Sequence, residues 1–303
     1  MVRTGSAAWI GRFFRPISPA HKDCHFMKKV FVSVSNGNIG RPLTASLVRM
    51  GLRVRAGSRT GVAAIAGAQG IRFDFTDPST FASALEDVST VFVMNPAGTQ
   101  NEGEFTKAFL ELAVADRSRK IVFLSGMGAE DGKNSKRDSE LFLQASGNPF
   151  VVLRPTWFMD NFANFYAAAI KSGNLRLAAG DGKISFIDSR DIADVAAVAM
   201  ATDKHDGQFL ELTGPEAFST EEVITLINRA AGLNAAYTPV SSGEFVADMT
   251  SAGMSEHYAA MIAESFEPVL EGKLEPVLPT VPDVIGRPAR TMSSWVLENA
   301  GKF

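Results

Sequence analysis

Gly37 and Gly40 stand three residues apart, directly after the run Val30-Phe31-Val32-Ser33-Val34 and at the head of a stripe, Ile39, Leu43 and Leu47, that repeats every four residues. The first run has the β-branched and aromatic content of a strand inside a parallel sheet, and the stripe has a helical period. A glycine turn between such a strand and helix points backbone N–H groups and a helix N-terminus at one spot, where an anion such as a dinucleotide pyrophosphate can sit. Ser33, Gly37, Asn38, Ile39 and Gly40 are therefore candidate cofactor-binding residues. The fingerprint is incomplete, because Val34 occupies the position of its first glycine. A branched side chain there fills space that glycine leaves open, so a chain that binds no dinucleotide is one reading of the turn.

Other chemistry-bearing residues fall at intervals that match the ends of further strands. Leu52–Gly57 reads as a second strand ending at Ser58-Arg59-Thr60. This is roughly 20 residues past the turn, where an acid would hold the ribose 2′-hydroxyl of NAD. A hydroxyl and a guanidinium suit a 2′-phosphate instead, so Ser58 and Arg59 predict NADP(H) over NAD(H); Arg59 also reads as a solvated arginine. Asp74 and Phe75 close a predicted strand over 71–75 and would lie at the adenine. Asn95 and Pro96 follow the strand Val91–Met94, facing the middle of the cofactor, and Ser125 ends the strand Ile121–Leu124. Pro155, Thr156, Trp157 and Phe158 follow a sixth strand, 150–154, and would wall the nicotinamide and a flat substrate. A plain helix start is the other reading of that segment.

What must position these residues is an alternation of strands and helices, which implies a parallel sheet with right-handed crossovers. The predicted class is α/β: a doubly wound parallel sheet of Rossmann type with a smaller, mostly helical C-terminal substrate lobe. Residues 27–303 form that unit, and the lobe is built mainly from 155–182 and 236–303. Ligands bind beyond the carboxyl ends of such strands, and Gly37, Arg59, Asp74, Asn95 and Ser125 all belong to that one edge. Farther on, 184–188 and 209–213 read as strands. Asp188 caps a helix over 190–200, and Ser219 with Glu222 forms a capping box.

Composition narrows the functional classes. With 303 residues, 46% hydrophobic and 21% charged, the chain can bury a sizeable core. A net charge of −3 gives no basis for nucleic-acid binding, and no apolar run approaches the ~20 residues of a membrane helix. The single cysteine, Cys24, fits a reducing compartment and a cytoplasmic location. His21, His25, His205 and His257 have no metal-ligand spacing, so no metal is expected. Residues 1–26 carry Arg3, Arg12, Arg15 and Lys22 against Asp23 alone. They read as a disordered tail, an extension from an upstream start, or a transit peptide that would permit organellar import. The expected partner is a small-molecule substrate, and the expected state a monomer or homodimer.

Leu153–Phe162 (LRPTWFMDNF), Ile184–Asp194 (ISFIDSRDIAD), Leu212–Glu216 and Gly286–Thr291 together resemble the NmrA-like branch of the atypical short-chain dehydrogenases, including the ergot-alkaloid festuclavine and agroclavine dehydrogenases and their bacterial relatives. The resemblance spans Met27 to the C-terminus. It implies an NADP(H)-binding Rossmann domain and reduction of imines, quinones, azo compounds or aryl ethers; some members sense the cofactor without turnover. The Tyr-x-x-x-Lys pair of ordinary short-chain dehydrogenases is absent, since Tyr166, Tyr237 and Tyr258 are followed four residues on by Ile170, Ser241 and Ile262. By the same resemblance Lys136 falls where isoflavone-reductase-like relatives carry a functional lysine, a candidate for cofactor contact and for proton donation. The expected function is NADPH-dependent hydride transfer to a small flat iminium, quinone, azo or conjugated C=C acceptor. The alternative is an NADP(H)-sensing regulator.

Overall fold

The computed structural model describes residues 28–95, 102–132 and 135–303. In chain order the first half is β1 (Lys29–Val32), α1 (Gly40–Arg49), β2 (Arg53–Ser58), β3 (Gln69–Arg72), α2 (Phe81–Leu85), β4 (Thr90–Met94), α3 (Glu102–Ala113), β5 (Lys120–Leu124), α4 (Ser135–Ser146) and β6 (Phe150–Pro155). There follow α5 (Asp160–Asn164), α6 (Ala167–Lys171), β7 (Asn174–Leu177), β8 (Lys183–Ile184), α7 (Ser189–Ala201), β9 (Gln208–Leu212), β10 (Phe218–Ser219), α8 (Thr220–Ala231) and β11 (Ala236–Pro239). The C-terminal part is helical: α9 (Ser242–Ser251), α10 (Glu256–Glu264), α11 (Glu267–Leu270), α12 (Thr280–Ile285) and α13 (Met292–Asn299).

Seven strands form one parallel sheet in the order β3-β2-β1-β4-β5-β6-β9. The order reverses between β1 and β4, so the crevice for a ligand opens beyond the carboxyl ends of those two strands. Strand alternation sends successive side chains to opposite faces. In β5, Ile121 and Phe123 join the aromatic core of Phe31, Phe73, Phe81 and Phe109, whereas Val122 and Leu124 join Val30, Leu43 and Leu47 under α1 and α7. Burial of both faces is why these strands read as unbroken apolar runs. A third core, including Met159, Phe162, Phe186, Ile224, Phe266 and Trp295, holds the C-terminal helices together. The caps fall where the sequence puts them: Asp188 accepts from the Arg190 amide, and Ser219 and Glu222 form a reciprocal box.

Several expectations are corrected. The strand read over 209–213 forms, as β9, but it joins the parallel sheet beside β6 as its seventh strand. The third strand ends at Arg72 instead of Phe75, because the Asp74 carboxylate accepts from the Thr76 amide and turns the chain. No helix joins β2 to β3. A Cβ on Gly70 would lie 2.2 Å from the Gly61 carbonyl oxygen, so the crossover packs directly on β3. The predicted strand over 184–188 shrinks to the two residues of β8, since Ser185 and Ile187 donate their amides to the carbonyls of Leu274 and Trp157 in neighbouring loops. Pro155 closes β6 from within, paired with Leu212. Residues 1–26 and Pro96 lie outside the described residues. Among the described residues no helix is long and apolar enough to cross a membrane, and no group of His, Cys, Asp and Glu could hold a metal ion.

Candidate active site

At the tip of β1 the chain turns through Val34, whose φ of +49° belongs to the left-handed region. Glycine adopts it without cost and a β-branched residue does not. The turn forms nonetheless: the Gly37 amide donates to the Val34 carbonyl and the Arg41 amide to the Gly37 carbonyl. Gly40 is obligatory, because a Cβ there would lie 2.2 Å from the Val34 oxygen. Gly37 is tight, its Cβ position 3.3 Å from the same oxygen. The amides of Asn38 and Ile39 make no backbone hydrogen bond among the described residues. They are donors available to an anion ahead of α1.

The turn is anchored to the end of β2. The Ser35 amide and hydroxyl both donate to the Gly57 carbonyl. Asn36, which sequence reasoning passed over, donates to the Val62 carbonyl and accepts from the Ala64 amide, and the Ser58 hydroxyl donates to that same Val62 oxygen. The loop carrying Arg59 is thus tied beside Gly37, with Arg59 exposed. Asp74 sits within the field of Arg59. The Thr76 amide holds its carboxyl below the usual range, burial opposes this, and the Thr76 hydroxyl and the charges of Arg59 and Arg72 add to it. The Phe75 ring is buried edge-on against Phe73 and Phe109, so its side chain belongs to the core.

The β1–β4 crevice is stitched by the Met94 amide donating to the Ser33 hydroxyl, 3.0 Å. Beside it, the Oδ1 and Nδ2 atoms of Asn95 are both buried without a partner. Unsatisfied amide atoms are uncommon in native interiors, and this one faces the switch point.

At the tips of β5 and β6 lies a network that sequence reasoning missed. The Ser125 hydroxyl donates to Glu140 Oε1 at 2.6 Å, and Arg154 grips Glu140 through Nε–Oε1 at 2.9 Å and Nη2–Oε2 at 2.7 Å. Glu140 is fully buried. Burial opposes its charge, but hydrogen bonds from Arg154 and Ser125 prevail and keep the carboxyl below its ordinary range. An ionised carboxylate only accepts, so Ser125 spends its one proton on Glu140 and can only accept from a ligand. The available signals were Arg154, a lone charge in an apolar strand, and Glu140, one helical turn after Lys136. Lys136 itself reaches this tip: a Cβ on Gly126 would lie 3.4 Å from its Nζ. Thr156 donates to the Ser185 carbonyl, Trp157 packs on Phe266, and Phe158 bridges to Ile187. Asp160, in the same segment, has its carboxyl pushed up by burial, with the Ser189 hydroxyl and amide working against that.

These features fit a dinucleotide: a glycine turn too close for a Cβ, free amides ahead of a helix, and at the switch point an amide unpaired among the described residues. Residues 35–204 match the family described as NAD(P)H-binding. The chain belongs to that family. The expected NmrA-like, atypical dehydrogenase character holds. An NAD(P)H azoreductase of Xenophilus azovorans is 31% identical over 85% of this chain and 90% of its own length. An agroclavine dehydrogenase of Claviceps fusiformis is 30% identical over 75% of this chain and 82% of its own. Among solved structures, the NADPH complex of the Escherichia coli quinone oxidoreductase QOR2 superposes with a TM-score of 0.79, at 24% identity, over 89% of this chain and 99% of that one. The protein is an NAD(P)H-dependent oxidoreductase.

Proposed function

We propose that this oxidoreductase takes NADPH in preference to NADH and reduces a small, flat acceptor: a quinone, an azo compound, an iminium or a conjugated C=C. The observation that carries the NADPH reading is the anchoring of the Ser58–Arg59 loop beside the glycine turn through Asn36. The bound cofactor supplies the hydride. Asn38 and Ile39 hold its pyrophosphate with their free amides, Gly37 and Gly40 let the turn close tightly around it, and Arg59 holds the 2′-phosphate from the loop that Ser58 ties down through Val62. Asp74 and the Phe75 backbone border the adenine, and Asn95 with Pro96 meets the central part. Ser125 accepts a hydrogen bond from the nicotinamide end, and Pro155, Thr156, Trp157 and Phe158 form the wall that orients the acceptor and excludes water. Lys136 holds the nicotinamide ribose or gives a proton to the reduced acceptor. Positioning donor against acceptor accounts for most of the rate in such a site, and an iminium requires no protein acid. The helical segments from Pro239 onward, with 155–182, close the substrate side. The protein's relatives act on azo, quinone and alkaloid substrates by name, which supports an acceptor of this kind.

The test is NADPH oxidation by purified protein across a panel of quinones, azo dyes and cyclic iminium compounds, repeated with NADH. Turnover with one class and a lower KM for NADPH are the expected results; no oxidation of either cofactor across the panel overturns the reading. Lys136→Met separates the two roles of that lysine. A rise in cofactor Kd at constant kcat marks ribose binding, and a fall in kcat with a lost basic limb in the pH profile marks proton donation.

A further inference from the structure

At the opposite, amino-terminal edge of the sheet, three cations face one way. Register sets Lys29 against Arg53 and Arg55 against Gln69, and alternation along each strand puts all four side chains on the same face. Adjacent strands lie about 4.8 Å apart and alternate residues about 7 Å apart, so Lys29, Arg53 and Arg55 crowd one spot. With Val54 and Gly67 they line a cavity of about 330 Å³.

Their countercharges are loose. Asp87 lies 3.6 Å from Lys29 and Glu86 3.8 Å from Arg55, and both acids are largely exposed, at 83% and 68%. Arg53 makes no ion pair among the described residues. Arg55 has a side chain only 5% exposed, and Nη2 alone is engaged, with the Ser83 carbonyl and Glu86; its Nε–H is buried with no acceptor. We propose that this cavity is a second anion site, separate from the dinucleotide edge, for a phosphoryl group. The guanidinium forks of Arg53 and Arg55, the point charge of Lys29 and the Gln69 amide converge from three strands, a donor set that suits a tetrahedral dianion better than a planar carboxylate. The cavity falls in the size range of small-ligand sites, which leaves room for an organic substituent on the phosphate.

Thermal melting of the full chain in inorganic phosphate, and separately in glycerol 3-phosphate, against potassium chloride at equal ionic strength, tests this. At about ten times the dissociation constant the melting point rises by about 3 °C. A rise with the free ion identifies the phosphoryl group alone as sufficient; a rise only with the ester identifies an organic phosphate. In either case Arg53→Gln removes the rise, Arg59→Ala at the other edge keeps it, and Arg53→Gln leaves NADPH oxidation unchanged. Lys29→Gln, a second variant at this edge, weakens the rise. Absence of any phosphate-specific rise, its survival in Arg53→Gln, or its loss in Arg59→Ala overturns the proposal.

Discussion

Val34 and Arg59 are the two residues whose substitution speaks most directly. A left-handed backbone costs a β-branched residue roughly 1–2 kcal/mol. The Val34 carbonyl makes the tight contacts of the turn, but its Cγ1 also lies 3.4 Å from the Cβ position of Gly37 and the side chain packs against the Phe31 core. Val34→Gly relieves the strain but gives up that packing and adds backbone entropy to the unfolded chain, so stability shifts by less than about 1 kcal/mol, seen as a urea midpoint near that of the wild type at unchanged slope. On the proposed reading, Arg59 acts on the ligand. Losing a charge-assisted contact of about 1.5–3 kcal/mol predicts that Arg59→Ala weakens NADPH by about 10- to 100-fold and leaves NADH nearly untouched, measured by calorimetric titration of both. At this scale the sequence was informative where residue type and position coincide, as at Gly40. It was silent on Asn36 and on Asn95's unpaired amide, because those roles depend on which loop lies opposite.

The strand tips β5 and β6 and the face of α4 act as one element-scale unit through Glu140. Removing one partner of a buried ion pair costs about 3–5 kcal/mol, so Glu140→Gln lowers the free energy of unfolding by roughly that amount while Arg154 keeps Glu130, 2.9 Å away. The pH dependence follows from the depressed carboxyl. Glu140 contributes its full stability above the ordinary glutamate value of 4.5 and loses it as pH falls through the lower folded value. Wild-type stability should drop over that acid range, and Glu140→Gln should drop less, in urea melts at stepped pH. The parallel alternation of strands and helices, the α1 turn and the caps were legible, since period, capping residues and glycine spacing are local signals. The short β8, the non-helical β2–β3 crossover and the place of β9 beside β6 were not. Each is decided by a distant carbonyl or neighbouring strand that no local pattern encodes.

Across the whole molecule, the C-terminal segment is bound back onto the sheet half by charge. Arg287 and Arg290 both engage Asp191 and Asp194 of α7, the Arg290 amide also donates to Asp191, and the Ser46 hydroxyl of α1 donates to Asp194. Asp191 is fully buried, whereas the two arginines are about a third exposed, which screens the attraction. Asp191→Asn should cost a few kcal/mol at most, chiefly from the unpaired groups left behind, and limited proteolysis should then cleave near Gly286 before the sheet is cut. The Gly286–Thr291 motif that suggested kinship thus serves as a latch. A chain shortened at Ile285 would leave two carboxylates on α7 repelling each other against the helix that follows the glycine turn. Trimming the tail would then loosen the grip on the nucleotide from a distance, and a bulky fusion partner is better tolerated after Phe303 than spliced between Ile285 and Met292.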